Sequence, residues 1–412
     1  MKNPNKALVF IFFVVLIDAI GFGIILPVMP DLIEKLTGEG TSEASVYGAW
    51  LTFAYAFMQF LFSPILGGLS DRFGRRPILL SALLGLGLDF LLHAWAPTIF
   101  WLFVGRIIAG IMGASFTTAM AYIADVSDPK KRAQNFGLVG AAFGLGFVIG
   151  PALGSTAIAW GLRAPFYLAA GLSLVNFLYG MFFVPESLAP ENRRPFDWNR
   201  ANPVGTLLQL KKYPAVAGLI ASLTLIYLAA HAVQSTWAFY TKYKFDWDVA
   251  MIGYSLTFVG FLVLIVQGGL IRIVIPRIGQ KRSIMTGLIL YTVGMASFGF
   301  ASEGWMMYAF LIPYSLGGLA GPAIQGYMSN SVPDDGQGEL QGGFTSLVAI
   351  TAFIGPILMN NLFAWFTRDE APVKVAGAPY FLGGILLIIS IGLTYRTLRR
   401  NSRSSVSSSA SR

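Results

Sequence analysis

Apolar residues along this chain come in runs of about 20, and polar residues collect between the runs. A helix needs about 20 residues to cross roughly 30 Å of hydrocarbon at 1.5 Å per residue. The runs predict spanning helices near 7–27, 45–69, 77–96, 98–123, 133–157 and 164–184. A second set is predicted near 213–240, 249–275, 283–302, 304–330, 339–366 and 377–397. Alternating ten-residue strands of the membrane-barrel kind are absent from the pattern, which leaves helices as the spanning form. The predicted fold class is an all-α membrane protein of twelve transmembrane helices in two pseudo-symmetric six-helix bundles.

The polar stretches divide the chain further. The reading is a first bundle over 1–184, a linker over 185–212 containing PENRRPFDWNR, a second bundle over 213–397, and a polar tail over 398–412 expected to be disordered. The first apolar run follows Lys2 and Lys6 but continues past Asp18 to Pro27 without a small-residue cleavage site, so it reads as a retained span. An even number of spans puts both termini on one side. Of the 29 Lys and Arg residues, 22 lie on that side, 6 lie opposite, and Arg106 falls within a span. The bias predicts cytoplasmic termini and a cytoplasmic linker.

The two sets of spans repeat at an offset of 205 residues. Arg72 and Gly74 map onto Arg277 and Gly279, Tyr122 onto Tyr327, Gly137 onto Gly342, and Gly150–Pro151 onto Gly355–Pro356. Six spans repeated in the same orientation form a parallel duplication, a plan used by transporters that rock two halves about a midplane site.

Composition agrees and narrows the choices. The 412 residues are 55% hydrophobic and 12% charged, with a mean hydropathy of +0.65. Lipid is the solvent such a surface suits. The net charge of +9 is accounted for by loop arginines and lysines, so a nucleic-acid partner is not expected. With no cysteine and two separate histidines, His93 and His231, neither a disulfide nor a metal site is expected. No Gly-Lys pair, HExxH or GxSxG occurs, which removes a P-loop, a zinc peptidase and an elbow-serine hydrolase. No enzyme activity and no cofactor are expected, and uphill work would draw on an ion gradient.

Charges within the hydrocarbon cost about 2.5–3.5 kcal/mol each on insertion scales. Asp18, Asp89 and Arg106 occupy such positions in spans 1, 3 and 4. Burial disfavours a charged carboxylate, which makes Asp18 the leading candidate to take up and release a proton. The plainer alternative is a protonated Asp18 hydrogen-bonded to a neighbouring helix. Arg106 is a candidate for proton coupling or anion pairing, the alternative being a structural ion pair with Asp18 or Asp89. Asp89 could equally face away from a central cavity. Tyr55, Gln59, Gln234, Trp237 and Gln325 could line a pathway or simply pack, and His231 is similar. His93, near a span end, reads as interfacial.

Two local motifs remain. GGLSDRFGRRP, Gly67 to Pro77, combines close-packing glycines with Asp71, Arg72, Arg75 and Arg76 between spans 2 and 3. GFVIGPALG, Gly146 to Gly154, sets Gly146, Gly150 and Gly154 four apart around Pro151, a pattern that permits close helix contact and a bend.

The first motif resembles the loop signature of the major facilitator superfamily, and the second resembles that superfamily's antiporter signature. DAIGFGIILPVMP, GRIIAGIMGA, YIADVSDPKKRAQNFG and DDGQGELQG extend the resemblance over nearly the whole chain, toward drug:proton antiporters and closest to the tetracycline efflux proteins. The resemblance implies the major facilitator fold and export of a drug-like small molecule in exchange for protons. It implies proton coupling at Asp18, Asp89 and Arg106, and a conformational gate of Asp71, Arg72, Arg75 and Arg76 with Asp125. It also matches Gln267 to a family glutamine. By the 205 offset Asp71 and Asp125 map onto Pro276 and Asn330, so only the first half keeps the charged latch. Val263 and Tyr291 stand where the tetracycline exporters carry a histidine and an aspartate, which concentrates any proton coupling in the first half.

The expected partners are a small-molecule substrate, protons and the lipid bilayer, with the protein acting as a monomer in a bacterial inner membrane. An uptake symporter or uniporter on the same fold, and a non-transporting receptor or scaffold, are the rival readings.

Overall fold

A computed structural model describes residues 4–113, 116–127, 132–196, 216–332 and 337–410. Among these residues there is no strand, and twelve helices are long and apolar enough to cross a membrane. They are α1 (Leu8–Thr37), α2 (Thr41–Phe73), α3 (Arg75–Trp95), α4 (Ile99–Val126), α5 (Val139–Trp160) and α6 (Ala164–Phe183). The second set is α7 (Ala217–Phe245), α8 (Val249–Ile278), α9 (Gln280–Phe300), α10 (Gly304–Ser329), α11 (Gly342–Thr367) and α12 (Ala378–Arg400). Residues 130–131, the linker over 197–212 and Asp334–Asp335 lie outside the described residues.

The chain forms two compact units, Met1–Pro203 with Asp246–Gly260, and Val204–Phe245 with Phe261–Arg412. The first part of α8 thus belongs to the unit of α1–α6.

Two expectations about helix ends are corrected. The first span does not stop at Pro27: its helix runs through Pro27 and Pro30 to Thr37. Val28, Leu32 and Ile33 beyond the first proline are fully buried. Unwinding an apolar segment in hydrocarbon would strand unpaired backbone groups, which outweighs the roughly 3 kcal/mol that a proline costs a helix. The tail expected to be disordered from 398 continues the last helix to Ala410. Once an apolar span has nucleated a helix, each further residue adds a backbone bond without a new nucleus.

Two of the breaks between helices fall on glycine. Gly74 (φ 107°) separates α2 from α3, and Gly279 (φ 81°) separates α8 from α9. A Cβ disfavours such angles, so each glycine ends one helix and reverses the chain in a single residue. They stand 205 positions apart, so the repeat extends to backbone conformation.

In the first unit α1 packs along α5, and the glycines of GFVIGPALG are the reason. A Cβ on Gly146 would lie 2.9 Å from Leu16 O, on Gly150 2.6 Å from Ile20 O, and on Gly154 2.7 Å from Ile24 O. Gly23 answers from α1, where a Cβ would meet Pro151 Cδ at 2.7 Å. The other side of α5 meets α8: a Cβ on Gly253 would lie 2.8 Å from Pro151 O, and on Gly260 3.0 Å from Phe147 O. Pro151 carries no N–H, so it leaves Phe147 O without its usual helical donor.

In the second unit α7 is held to α12 by a hydroxyl cluster. Ser222 Oγ lies 2.6 Å from Ser390 Oγ and 2.7 Å from Thr394 Oγ1. Tyr240 donates to Phe298 O at 2.6 Å, and its ring meets Tyr380 edge-on at 4.7 Å.

Candidate functional site

The first unit holds a buried polar cluster on α3 and α4. Asp89 and His93, one turn apart on α3, share a face, and both are buried. Arg106 of α4 donates from Nε to His93 Nε2 at 3.1 Å and from Nη2 to Asp89 Oδ2 at 3.4 Å. His93 Nδ1 lies 2.9 Å from Asp89 O and 3.0 Å from Asp89 Oδ1. The ring stacks on Phe166 of α6 at 5.7 Å. Gly105 lets the group form, since a Cβ there would lie 2.6 Å from Asp89 Oδ1 and 2.7 Å from His93 Nδ1. His93 is therefore not the interfacial residue expected from its place near a span end, but the centre of a buried triad. Its polar partners stabilise it there, because an unpaired imidazole would be costly to bury. Arg106 takes Asp89, not Asp18, as its acid.

Tyr55 and Gln59 of α2 adjoin the triad. The Arg106 guanidinium carbon lies 5.9 Å from the centre of the Tyr55 ring, and Gln59 Nε2 donates to Gly113 O at 3.2 Å and Tyr55 OH at 3.4 Å. Phe22, one turn after Asp18 on α1, reaches the Tyr55 ring at 6.4 Å and the Phe147 ring at 5.7 Å. Asp18 itself lies about 15 Å along the axis from Leu8. Its Oδ1 is buried and has no hydrogen-bond partner. The neighbouring-helix hydrogen bond considered for Asp18 is not formed by that oxygen.

The GGLSDRFGRRP turn forms a second charged group. Arg75 reaches Asp71 at 2.5 Å, Ser70 Oγ at 2.6 Å and Asp125 Oδ2 at 3.3 Å. Ser187 also donates to Asp125, at 3.0 Å. Arg72 and Arg76 do not join: Arg72 lies over the Phe73 ring at 5.0 Å, and Arg76 Nη2 donates to Met181 O at 2.5 Å. Glu186 was not anticipated from the sequence. Its carboxylate accepts from Arg75 N at 2.8 Å and Arg76 N at 3.2 Å, capping the otherwise unpaired N–H groups that open α3. Tyr122 OH fastens the same segment by donating to Pro185 O at 2.8 Å.

The second-unit candidates are dispersed. Gln325 Nε2 donates to Tyr227 OH at 2.8 Å. Trp237 is only 3% exposed and packs edge-on against Phe298 at 5.2 Å. Gln234 is exposed. Gln267 is exposed within a π-helical stretch, Leu264–Leu270, that begins directly after Val263. Tyr291 is buried with its ring 4.9 Å from Tyr314. His231 packs against Gly355. Among the described residues no group of three or more His, Cys, Asp and Glu is placed to hold a metal ion.

Comparison with known proteins adds to this geometry. The Major Facilitator Superfamily model matches residues 11–356. The chain is 39% identical over 364 residues to the class C tetracycline resistance protein of Escherichia coli, covering 88% of this chain and 91% of that protein. It is 36% identical over 391 residues to the class B protein of the same organism, covering 92% and 94%. Among solved structures, a bacterial homologue of the human lysosomal transporter Spinster, inward-facing and unoccupied, superposes with a TM-score of 0.78 at 13% identity, covering 96% of this chain and 97% of that one. The human organic anion transporter MFSD10 gives 0.71 at 21% identity, covering 96% and 100%.

Proposed function

The chain belongs to the Major Facilitator Superfamily and is a multi-pass membrane transporter of small molecules, and from that premise we propose that it is a proton-coupled antiporter exporting a drug-like, amphipathic solute by alternating access. The observation that carries this reading is the unpartnered, buried Oδ1 of Asp18. It sits on the helix held by the glycines of α5, one turn from the Phe22–Tyr55 contact. Facing outward, Asp18 takes up a proton. Facing inward, binding of the substrate near Tyr55 and Gln59 favours its release. A potential of 100 mV supplies about 2.3 kcal/mol per charge moved, enough for a concentration ratio of roughly 50.

The Asp71–Arg75–Asp125 group acts as the gate, a set of ion pairs that is intact in one conformation and broken in the other. The close α1–α5 and α5–α8 packing seals the cavity against leak. The similarity to tetracycline resistance proteins supports the direction of transport, and the positive-inside bias supports cytoplasmic termini in a bacterial inner membrane. The protein works as a monomer.

The test is reconstitution into liposomes with an interior pH dye, adding tetracycline and other amphipathic drugs under an imposed pH gradient. Wild type is expected to couple drug movement to proton movement in the opposite sense, and Asp18→Asn to lose that coupling. Equal coupled transport by Asp18→Asn removes Asp18 from the mechanism. Co-directional movement makes the protein a symporter, and drug movement without protons makes it a uniporter.

A further inference from the structure

His93 is a buried titratable group that the proposed role of Asp18 leaves unused, and its bonds dictate which protons it carries. A guanidinium has donors and no acceptor, so Nε2, which receives the Arg106 Nε–H at 3.1 Å, carries no hydrogen. In a neutral imidazole the hydrogen is then on Nδ1, and Nδ1 faces Asp89 O at 2.9 Å and Asp89 Oδ1 at 3.0 Å. The two neighbours select one tautomer of one charge state.

A proton on Nε2 and the bond from Arg106 exclude each other, because two donors would then face across 3.1 Å. Charge sharpens the exclusion. Ionised Asp89, charged Arg106 and neutral His93 sum to zero, whereas an imidazolium added to them would leave a net positive charge in an enclosed site. Departure of the guanidinium restores the balance, with the imidazolium taking over as counter-ion to Asp89. The charged groups on the ring are Asp89 from its own helix and Arg106 from α4. Helix α6 presents the uncharged Phe166, and Arg163 just before it donates to Ala94 O at 3.0 Å and Ala96 O at 2.7 Å. An aromatic face for the released guanidinium is already at hand in Tyr55, 5.9 Å away.

We propose that His93 is a positioning residue for Arg106: neutral, it holds the guanidinium against Asp89 by accepting from Nε–H, and protonated, it replaces Arg106 at Asp89 and releases it toward Tyr55 and Gln59. The proposal deepens the proton-coupled reading of the first unit, but the tautomer and the exchange it requires can be read without any substrate.

The chain has two histidines, so His231→Gln leaves a single imidazole for nitrogen-15 magnetic resonance of the purified protein in nanodiscs. Should that variant fail to fold, the His93 signals are assigned by difference between wild type and His93→Gln. The expected result at neutral pH is the Nδ1–H tautomer, converting to imidazolium on acidification while the Arg106 Nε signal shifts with the same midpoint. In His93→Gln the amide oxygen still accepts from Arg106 but takes no proton, so the Arg106 signal should keep its position and lose its pH dependence. In His93→Leu it should be displaced at every pH. An Nε2–H tautomer at neutral pH, or an Arg106 signal that stays still while His93 titrates, overturns the proposal. Failure of the Asp18→Asn transport test together with the expected spectra would sink the coupling reading and leave the His93 assignment standing.

Discussion

The two halves of this transporter are copies at an offset of 205, yet the positions that carry buried charge in the first half are apolar in the second. Asp18, Asp89, His93 and Arg106 correspond to Leu223, Gly294, Phe298 and Leu311. Leu223, Phe298 and Leu311 are all buried, and the space beside Gly294 is filled by Tyr314, whose Cα an added Cβ would meet at 2.6 Å. The second half is thus an internal control: the same helical scaffold closes around these positions with aliphatic and aromatic packing alone. Buried ion pairs are often no more stabilising than apolar residues of similar volume. What the first half retains at Asp89, His93 and Arg106 is therefore not required by the architecture, and points to a role in moving charge.

The largest effect tests that contrast directly. Removing the one acid of the triad, as in Asp89→Leu, leaves the Arg106 guanidinium buried and uncompensated, at an expected cost of about 3–5 kcal/mol. Replacing all three in the manner of the second half, with Asp89→Leu, His93→Phe and Arg106→Met, should be neutral or stabilising by about 1–4 kcal/mol. Both are read from thermal unfolding in detergent. The triple variant should fold and insert but show no drug-coupled proton flux in liposomes. A triple variant less stable than Asp89→Leu would mean that the triad is structural after all.

Much of this contrast was open to a reader of the sequence. Spans follow from the length of apolar runs, because hydrocarbon forces each run to satisfy its own backbone, and the repeat follows from glycines whose φ angles no other residue adopts comfortably. The triad was half visible. Asp89 and His93 stand at i, i+4 and so share a helix face, but the register that brings Arg106 from the next helix onto the same two side chains depends on Gly105 and on the close approach it permits. Glu186 was not visible, since it caps a helix that begins 111 residues earlier in the chain. Pro27 misled in the other direction: proline marks helix ends in water, where an unwound backbone can be solvated, and is carried through in α1, where it cannot.

A smaller effect separates the two glycine seams. Gly150 faces backbone, Ile20 O and Gly23 Cα, whereas its copy Gly355 faces the His231 side chain. Gly150→Ala should therefore push α1 from α5 and cost about 1–3 kcal/mol as overpacking, with no neighbouring side chain to trim in relief. Gly355→Ala should be rescued by His231→Ala, because the obstruction there is a ring. Melting temperatures of the two single variants and of the Gly355→Ala, His231→Ala pair decide the matter. Equal rescue failure at Gly355 would show that its seam, too, is set by backbone.

The smallest expected effect lies at the two glycine turns. After Gly74 the first turn of α3 is capped by Glu186, and the position 205 residues beyond Glu186 is Ile391, which has no carboxylate to offer α9. Loss of a helix cap costs about 0.5–2 kcal/mol, so Glu186→Ala should lower the stability of the first unit by that amount. It should also free the 185–188 segment, which Tyr122 and Ser187 then hold alone. Hydrogen exchange at the amides of Arg75 and Arg76 is the measurement, with that of Gln280, 205 residues after Arg75, as the reference. If capping is what distinguishes the turns, Glu186→Ala should raise exchange at Arg75 toward the rate of Gln280. Unchanged protection at Arg75 and Arg76 would instead assign the order of that turn to the Arg75 ion pairs with Asp71 and Asp125.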